Sequence, residues 1–411
     1  MGTVAASTVY GLNTVATLQI FYKITISNVV ALFMIITSQT MGYGLAGVMR
    51  RYLVWPAAMI WPSTLPTCAF LRSLHESREE DLANNISKWK ISRLRLFLYI
   101  FIFSFTWYWF PGYIFPIISS LSFICAMNPT NVVFSQITGV NGLGVGTVQL
   151  DWNSITAYLG SPIVVPLWAQ LNILASFVLF CWIIIPAIYY TNTWGGKSFP
   201  IGSSNLYTSE GYLYNISCIA DKNSRLNITA YNIYGAGRMS IMLAVAYGIY
   251  YTASVLWGLI GTTRQFLHNS VPYYNLFWFF PIGVFLPVIQ WFFVKKFKAE
   301  WLRYVNVPIM CIVISNLLPA PAGNFPSWLF LGFVFNLFIK RYASVWWGRY
   351  AYVTSSAMDC GLAFSALIIV VLQNNGMSFP NWWGITGYYD GHLCPLSYAN
   401  YSGVIPSYKT T

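Results

Sequence analysis

Between Arg95 and Lys197 the chain carries a single charged side chain, Asp151. It lies between the glycine-rich run Gly139-Val-Asn-Gly-Leu-Gly-Val-Gly146 and the apolar sequence that follows Asp151-Trp-Asn-Ser154. Keeping an ionised group at membrane depth costs about 2.5–3.5 kcal/mol on insertion scales, so an acid in such surroundings is a functional-site candidate by default. Two chemistries suit it: accepting a cationic amine, or carrying a proton, because low dielectric disfavours the charged form of a carboxyl. A third reading is local, with Asp151 as the N-cap of a helix opening at Trp152. Asp359 is a second candidate for the same roles, eight residues before Leu367 in the apolar run Tyr352–Gln373. Asn128, Asn131, Gln136, Asn141 and Gln149 add neutral donors and acceptors near Asp151, and Trp152 and Asn153 follow it directly. They suit recognition of amide groups, and polar packing uses the same residues. The glycine run has two readings: backbone offered to a solute along a path at Gly142 and Gly144, or close helix packing through Gly142-xxx-Gly146.

Other chemistries find little support. The glycine run does not fit G-x-G-x-x-G, and no Lys follows it as in a phosphate loop, so a nucleotide cofactor is not expected. Asp390-Gly-His392-Leu-Cys394 has metal-capable side chains, but three ligands on a tail without supporting partners are read as incidental, and no metal site is assigned. No Ser-His-Asp, Cys-His or paired-carboxylate arrangement is visible, and no catalytic residue is assigned: the chain is read as a non-enzyme. The seven cysteines contain no Cys-x-x-Cys pair. A Cys218–Cys394 disulfide requires both loops to face a lumen. The N-terminus has no basic region or cleavage site of a signal peptide.

The elements that must position these residues are membrane helices. Of 411 residues, 57% are hydrophobic and only 8% charged, against roughly 25% charged in soluble domains. The formal charge of +12 falls in short blocks beside apolar runs, such as Arg50-Arg51, Lys295-Lys296 and Lys340-Arg341. That is the positive-inside pattern of a protein in a lipid bilayer, and it argues against nucleic-acid binding. Spans need about 20 apolar residues. The sequence offers Val4–Tyr22, Val29–Val48, Leu96–Phe110 stopping at Pro111-Gly112, Tyr113–Met127, Ile163–Tyr190, Ser240–Thr263, Leu276–Val294 and Tyr352–Gln373. Tyr52–Leu71, with Pro56, Pro62 and Pro66, reads as broken or re-entrant, and Tyr304–Ile339 as a hairpin split at Leu318–Pro326. The expectation is an all-α polytopic membrane protein of about eight to ten hydrophobic segments in one transmembrane domain, residues 1–411. Two polar loops interrupt it. Residues 72–95 hold six Lys/Arg and read as cytoplasmic. Residues 191–237 carry the glycosylation sequons at Asn215 and Asn227 and read as non-cytoplasmic. A third sequon, at Asn85, lies in the basic loop and shows how weak the motif is alone. Helix breaks at membrane depth must face protein or a water-filled cavity, and their clustering points to a solute path.

The residues also resemble a known family. Met41-Gly-Tyr-Gly-Leu-Ala-Gly47, Pro56-Ala-Ala-Met-Ile-Trp-Pro62, Trp107-Tyr-Trp-Phe-Pro-Gly112, Asn128-Pro-Thr-Asn-Val-Val133, Asn141-Gly-Leu-Gly144, Asp151-Trp-Asn153, Pro186-Ala-Ile-Tyr-Tyr-Thr-Asn192, Trp346-Trp347-Gly-Arg-Tyr350 and Asp359-Cys-Gly-Leu-Ala-Phe364 together resemble the oligopeptide transporter family, peptide-transporter clade, of fungi and plants. The resemblance implies proton-coupled uptake of short peptides or related glutathione-like molecules, most naturally at a plasma membrane. It leaves the oligomeric state open. The family's Asn-Pro-Gly and Lys-Ile-Pro-Pro-Arg motifs are absent, and the chain is expected to begin just after the first. Around Gly248–Ser254 the sequence jumps from one family segment to a much later one, as if central helices were missing. A transport-incompetent truncated paralogue, or a fragment that associates with a full-length partner, is therefore the alternative.

Overall fold

The computed structural model describes residues 25–53, 91–139, 142–157, 159–203, 205–219, 226–246, 279–297 and 321–388, with isolated positions elsewhere that include Leu393 and Cys394. Val4–Tyr22, Tyr52–Leu71, the basic loop up to residue 90, the Gly248–Ser254 junction and most of Tyr304–Ala320 lie largely or wholly outside the described residues.

The described elements follow in chain order. Helix α1 is Asn28–Leu53, and α2 is Arg93–Trp107. Strand β1 (Leu121–Ser122), helices α3 (Phe123–Met127) and α4 (Val132–Thr138), strand β2 (Thr147–Val148) and helix α5 (Trp152–Thr156) fill the charge-poor middle. Helices α6 (Leu167–Phe177) and α7 (Ile185–Tyr190) come next, then β3 (Leu206–Tyr207), α8 (Ile228–Tyr234), β4 (Arg238–Met239) and α9 (Ile241–Ala246). The C-terminal part has α10 (Phe279–Lys296), α11 (Asn324–Phe333), α12 (Ser344–Asn374) and α13 (Trp383–Thr386). The only strand pairings among the described residues are β1 with β2 and β3 with β4, both antiparallel. This is a helical membrane protein.

Among the described residues, three helical stretches are long and apolar enough to cross a bilayer: Arg93–Ile114, Leu167–Tyr190 and Ser344–Asn374. Their outer faces carry large apolar side chains, including Tyr99, Ile102 and Phe103 on α2 and Phe364, Leu367 and Val371 on α12. The interior instead holds Gln136, Gln149, Asp151, Gln170, Ser176 and Asn336. In lipid that arrangement is reasonable, because apolar surface has no water to escape while polar groups need partners inside the protein.

The structure corrects several expected boundaries. The stretch Arg93–Ile114 starts within the expected basic loop, where Ser92 Oγ accepts the Arg95 N–H. It does not stop at Pro111-Gly112: a π-helical turn, Phe110–Ile114, carries it on, closed by the Phe115 N–H to the Phe110 carbonyl. The same device, Val178–Ile184, joins α6 to α7 just before Pro186. A widened turn accommodates the hydrogen bond that proline cannot make. Tyr113–Met127 is no continuous span but a π turn, a 3-10 turn (Pro116–Ser120), β1 and α3. Pro326 lies in the first turn of α11, where its missing N–H costs nothing, so the break ends earlier than Pro326. The expected loop 191–237 is folded, with a 3-10 helix at Thr193–Ser198, the β3–β4 pair and α8 around buried Leu206, Tyr214 and Ile219.

Helices α2 and α12 lie parallel. Tyr350 donates to the Ile91 carbonyl, Ser104 to the Met358 carbonyl and Tyr113 to the Met377 carbonyl, so their numbers rise together. Gly361 permits the close approach, since a Cβ there would lie 2.6 Å from the Phe101 carbonyl oxygen. Helices α6 and α11 pack against each other around Phe177 stacked on Phe325, with Gln170 filling the space left by Gly332. The Cys218–Cys394 pairing that the sequence left open is not formed. Cys394 is bonded to Cys125 and Cys218 is a free, exposed thiol. That bond holds the residue 393–394 segment in a small core with Ile117.

Candidate functional site

The stretch Gln149–Ser154 is a hub, because successive residues bond to different helices. The Gln149 N–H donates to Ser327 Oγ at 2.9 Å, and its Nε2 donates to Asn324 Oδ1, both on α11. Leu150 offers its carbonyl to Trp107 Nε1 at the end of α2 (2.9 Å) and its N–H to the Ile118 carbonyl. Asp151 is 4% exposed and caps α5. Its Oδ1 accepts the Asn153 N–H at 2.9 Å, and its Oδ2 accepts the Ser154 N–H at 3.3 Å and the Ser154 hydroxyl at 2.7 Å. Trp152 Nε1 donates to Asp359 Oδ1 on α12 at 2.6 Å. Asn153 is exposed, and Tyr108, beyond the end of α2, lies within electrostatic reach of Asp151. Asn324 Nδ2 closes the ring by donating to the Ser154 carbonyl at 2.7 Å.

Local sequence accounts for much of this. An aspartate before Trp-Asn-Ser is a favourable N-cap, so the cap reading of Asp151 describes its geometry. Gly144, at φ +74°, brings the preceding turn against Ala322, and only a glycine allows a contact in which a Cβ would lie 2.5 Å from that residue's backbone. Gly142 approaches the Ser135 carbonyl equally closely. Its described residues, 139 and 142–146, form bends and turns and not helix, which removes helix packing through Gly142-xxx-Gly146.

The site residues expected from sequence do not all converge. Asp151, Trp152, Asn153 and Asp359 meet at the hub. Asp359 belongs to α12 and does not cap it, being the central residue of a 31-residue helix. Gln136 is buried and donates from Nε2 to the Tyr189 hydroxyl at 2.7 Å. Asn131 caps α4 through the Val133 N–H, and Asn128 is exposed in a turn, accepting from Thr130. Asn141, Asp390 and His392 lie outside the described residues. Cys394 is in the disulfide, so its thiol is not open to a metal. The sequons Asn215 and Asn227 are both exposed, and Asn227 also caps α8.

Sequence reasoning missed Asn324, Ser327 and Ser154. The signal available was the Pro-Ala-Pro-Ala-Gly-Asn324 break, whose glycine and asparagine mark the close approach of α11 to β2. Two buried acceptors, Gln136 Oε1 and Gln149 Oε1, have no hydrogen-bond partner among the described residues.

Known proteins share this sequence pattern along most of its length. The profile of the OPT oligopeptide transporter protein family matches residues 1–270 and 246–373. Oligopeptide transporter 7 of Arabidopsis thaliana is 25% identical over 602 residues, covering 95% of this chain and 77% of that protein. Oligopeptide transporter 3 of the same plant is 26% identical over 600 residues, with 94% and 80% covered. Oligopeptide transporter 1 is 24% identical over 609 residues, with 96% and 79% covered. No solved structure matches. The chain belongs to the oligopeptide transporter family.

Proposed function

We propose that this chain is a secondary active transporter of small oligopeptides, driven by protons and acting at the plasma membrane. The observation that carries the reading is the acid at the centre of a spanning helix, Asp359, hydrogen-bonded to the hub that also contains Asp151. Family membership supports peptides as the solute. The unpartnered oxygens of Gln136 and Gln149 support it further. Buried acceptors without donors cost about 1–3 kcal/mol each, and the N–H groups of a passing peptide can satisfy them. On this reading the solute and proton path runs past Asn131, Gln136, Gly142, Gly144, Asp151, Trp152, Asn153 and Asp359, with the α11 start as a second wall. Short peptides, including glutathione-like ones, present the amide and amine groups this set can hold.

The test is uptake of a labelled tetrapeptide into proteoliposomes containing only this protein, with and without an inwardly directed proton gradient. Gradient-stimulated accumulation supports the proposal. One observation favours a second reading, a transport-incompetent paralogue that associates with a full-length relative. Alignments of about 600 residues on a chain of 411 must leave long stretches of the relatives unmatched, and the two matched pieces overlap at 246–270. Both facts support loss of central helices near Gly248–Ser254. No flux from the pure protein, together with co-purification with a full-length relative, would establish that reading.

A further inference from the structure

The two acids of the hub are wired differently, and the difference separates their roles. All three donors that reach Asp151 belong to Asn153 and Ser154, within its own helical turn. Adding or removing a proton there rearranges one turn of α5. Asp359 receives its hydrogen bond from another element, the Trp152 indole, 207 residues away in sequence. It also lies at the middle of α12, about 22 Å from either end at 1.5 Å per residue.

We propose that Asp359 carries the coupling proton, that Trp152 transmits its charge state to the Gln149–Ser154 stretch, and that Asp151 is a fixed cap. This assignment rests on the transport reading above. The step is a simple exchange. A proton from the acidic side forms an O–H bond on the Asp359 carboxylate, and the same bond breaks when the proton leaves on the other side. While protonated, the carboxyl accepts a neutral hydrogen bond from Trp152 in place of a charge-assisted one, which is roughly twice as strong. Trp152 is then held less firmly. Its neighbours in the chain are bonded to the end of α2 through Trp107 and to α11 through Asn324 and Ser327, so a shift at Trp152 reaches both.

The titratable groups around Asp359 are few. On α12 itself Cys360 lies within electrostatic reach of it. At the start of α5 is Asp151, the residue before Trp152, and beyond the end of α2 is Tyr108, within electrostatic reach of Asp151. From α11 and the turn after it, the packing groups near Trp152 are apolar, Leu331 and Phe335 respectively. The cation on α12, Arg349, is ten residues away and lies over the Tyr350 ring.

Infrared difference spectra between acidic and alkaline samples of the reconstituted full chain test the assignment without requiring transport. The protonated-carboxyl band should lose one component in Asp359→Asn and keep it in Asp151→Asn, which retains a capping side chain. In Trp152→Phe that component should change frequency because its donor is gone; a purely structural role for Trp152 would leave it in place. Loss of a component in Asp151→Asn alone, or no Asp359 component at any pH, overturns the proposal. In the transport arm, Asp359→Asn should abolish stimulation by the proton gradient, and undiminished stimulation in that variant overturns the assignment. Should the wild type take up no peptide, the transport reading fails, and the infrared arm still decides which acid holds the proton.

Discussion

Three glycines allow the contribution of the turn beneath the hub to be dissected. Gly160 has φ +70° and no atom within 4 Å of the place a Cβ would take, so an alanine there meets backbone strain alone. Gly142 has no positive φ but would drive a Cβ into the Ser135 carbonyl oxygen, so alanine there meets a clash alone. Gly144 combines both, at φ +74° and 2.5 Å from the Ala322 backbone. The left-handed conformation costs a non-glycine residue about 1–2 kcal/mol, and overpacking a tight site costs about 1–3 kcal/mol. Restricting the unfolded chain returns about 0.4–1 kcal/mol in each case. Gly160→Ala should therefore lose roughly 1 kcal/mol or less, Gly142→Ala roughly 1–2, and Gly144→Ala roughly 2–4. Once the exposed thiols Cys68 and Cys218 are blocked, Cys181, buried and free within Leu167–Tyr190, reports unfolding through its reaction with a thiol-specific fluorophore during a thermal ramp in detergent. The expected order of melting temperature is Gly160→Ala above Gly142→Ala above Gly144→Ala. If Gly144→Ala melts with Gly160→Ala, the glycine turn does not pack against the start of α11, and the route from the hub to α11 loses one of its contacts.

Truncating Gln149 or Asn324 to alanine should destabilise by about 1–3 kcal/mol each by orphaning the partner, and the double variant should lose less than the two together, as read by the same melt. Non-reducing peptide mapping should recover Cys125 bridged to Cys394 and Cys218 open to alkylation, and Cys125→Ser should lower stability by about 2–5 kcal/mol; a Cys218-containing bridge would contradict the fold. Glycosidase treatment of protein made in a secretory host should shift its mobility, the shift shrinking stepwise in Asn215→Gln and Asn227→Gln and remaining unchanged in Asn85→Gln.

What could be read from the sequence followed from how local each feature is. The single charge between 96 and 196 reveals membrane helices because desolvating charge is costly wherever the chain goes. The cap at Asp151 is legible because its donors lie two and three residues on. Pro111 misleads, because a π turn absorbs the missing N–H and a proline alone does not show whether that turn forms. Thr191–Gly237 looks like a loop because its polar residues outnumber the few, such as Tyr214 and Ile219, that are buried within it. The long-range contacts were out of reach. Cys125 and Cys394 are separated by 269 residues, and nothing near either favours the other over Cys218. Trp152 and Asp359 were each singled out, but their hydrogen bond depends on α5 packing against the middle of α12, and that follows from the whole arrangement of helices.

The most direct measurement is of proton movement itself. Proteoliposomes of the pure chain, suspended in weakly buffered medium at equal pH inside and out, should alkalinise the medium when a tetrapeptide is added, and Asp359→Asn should not. Peptide accumulation with no accompanying proton uptake, or an undiminished proton signal in Asp359→Asn, would contradict the account.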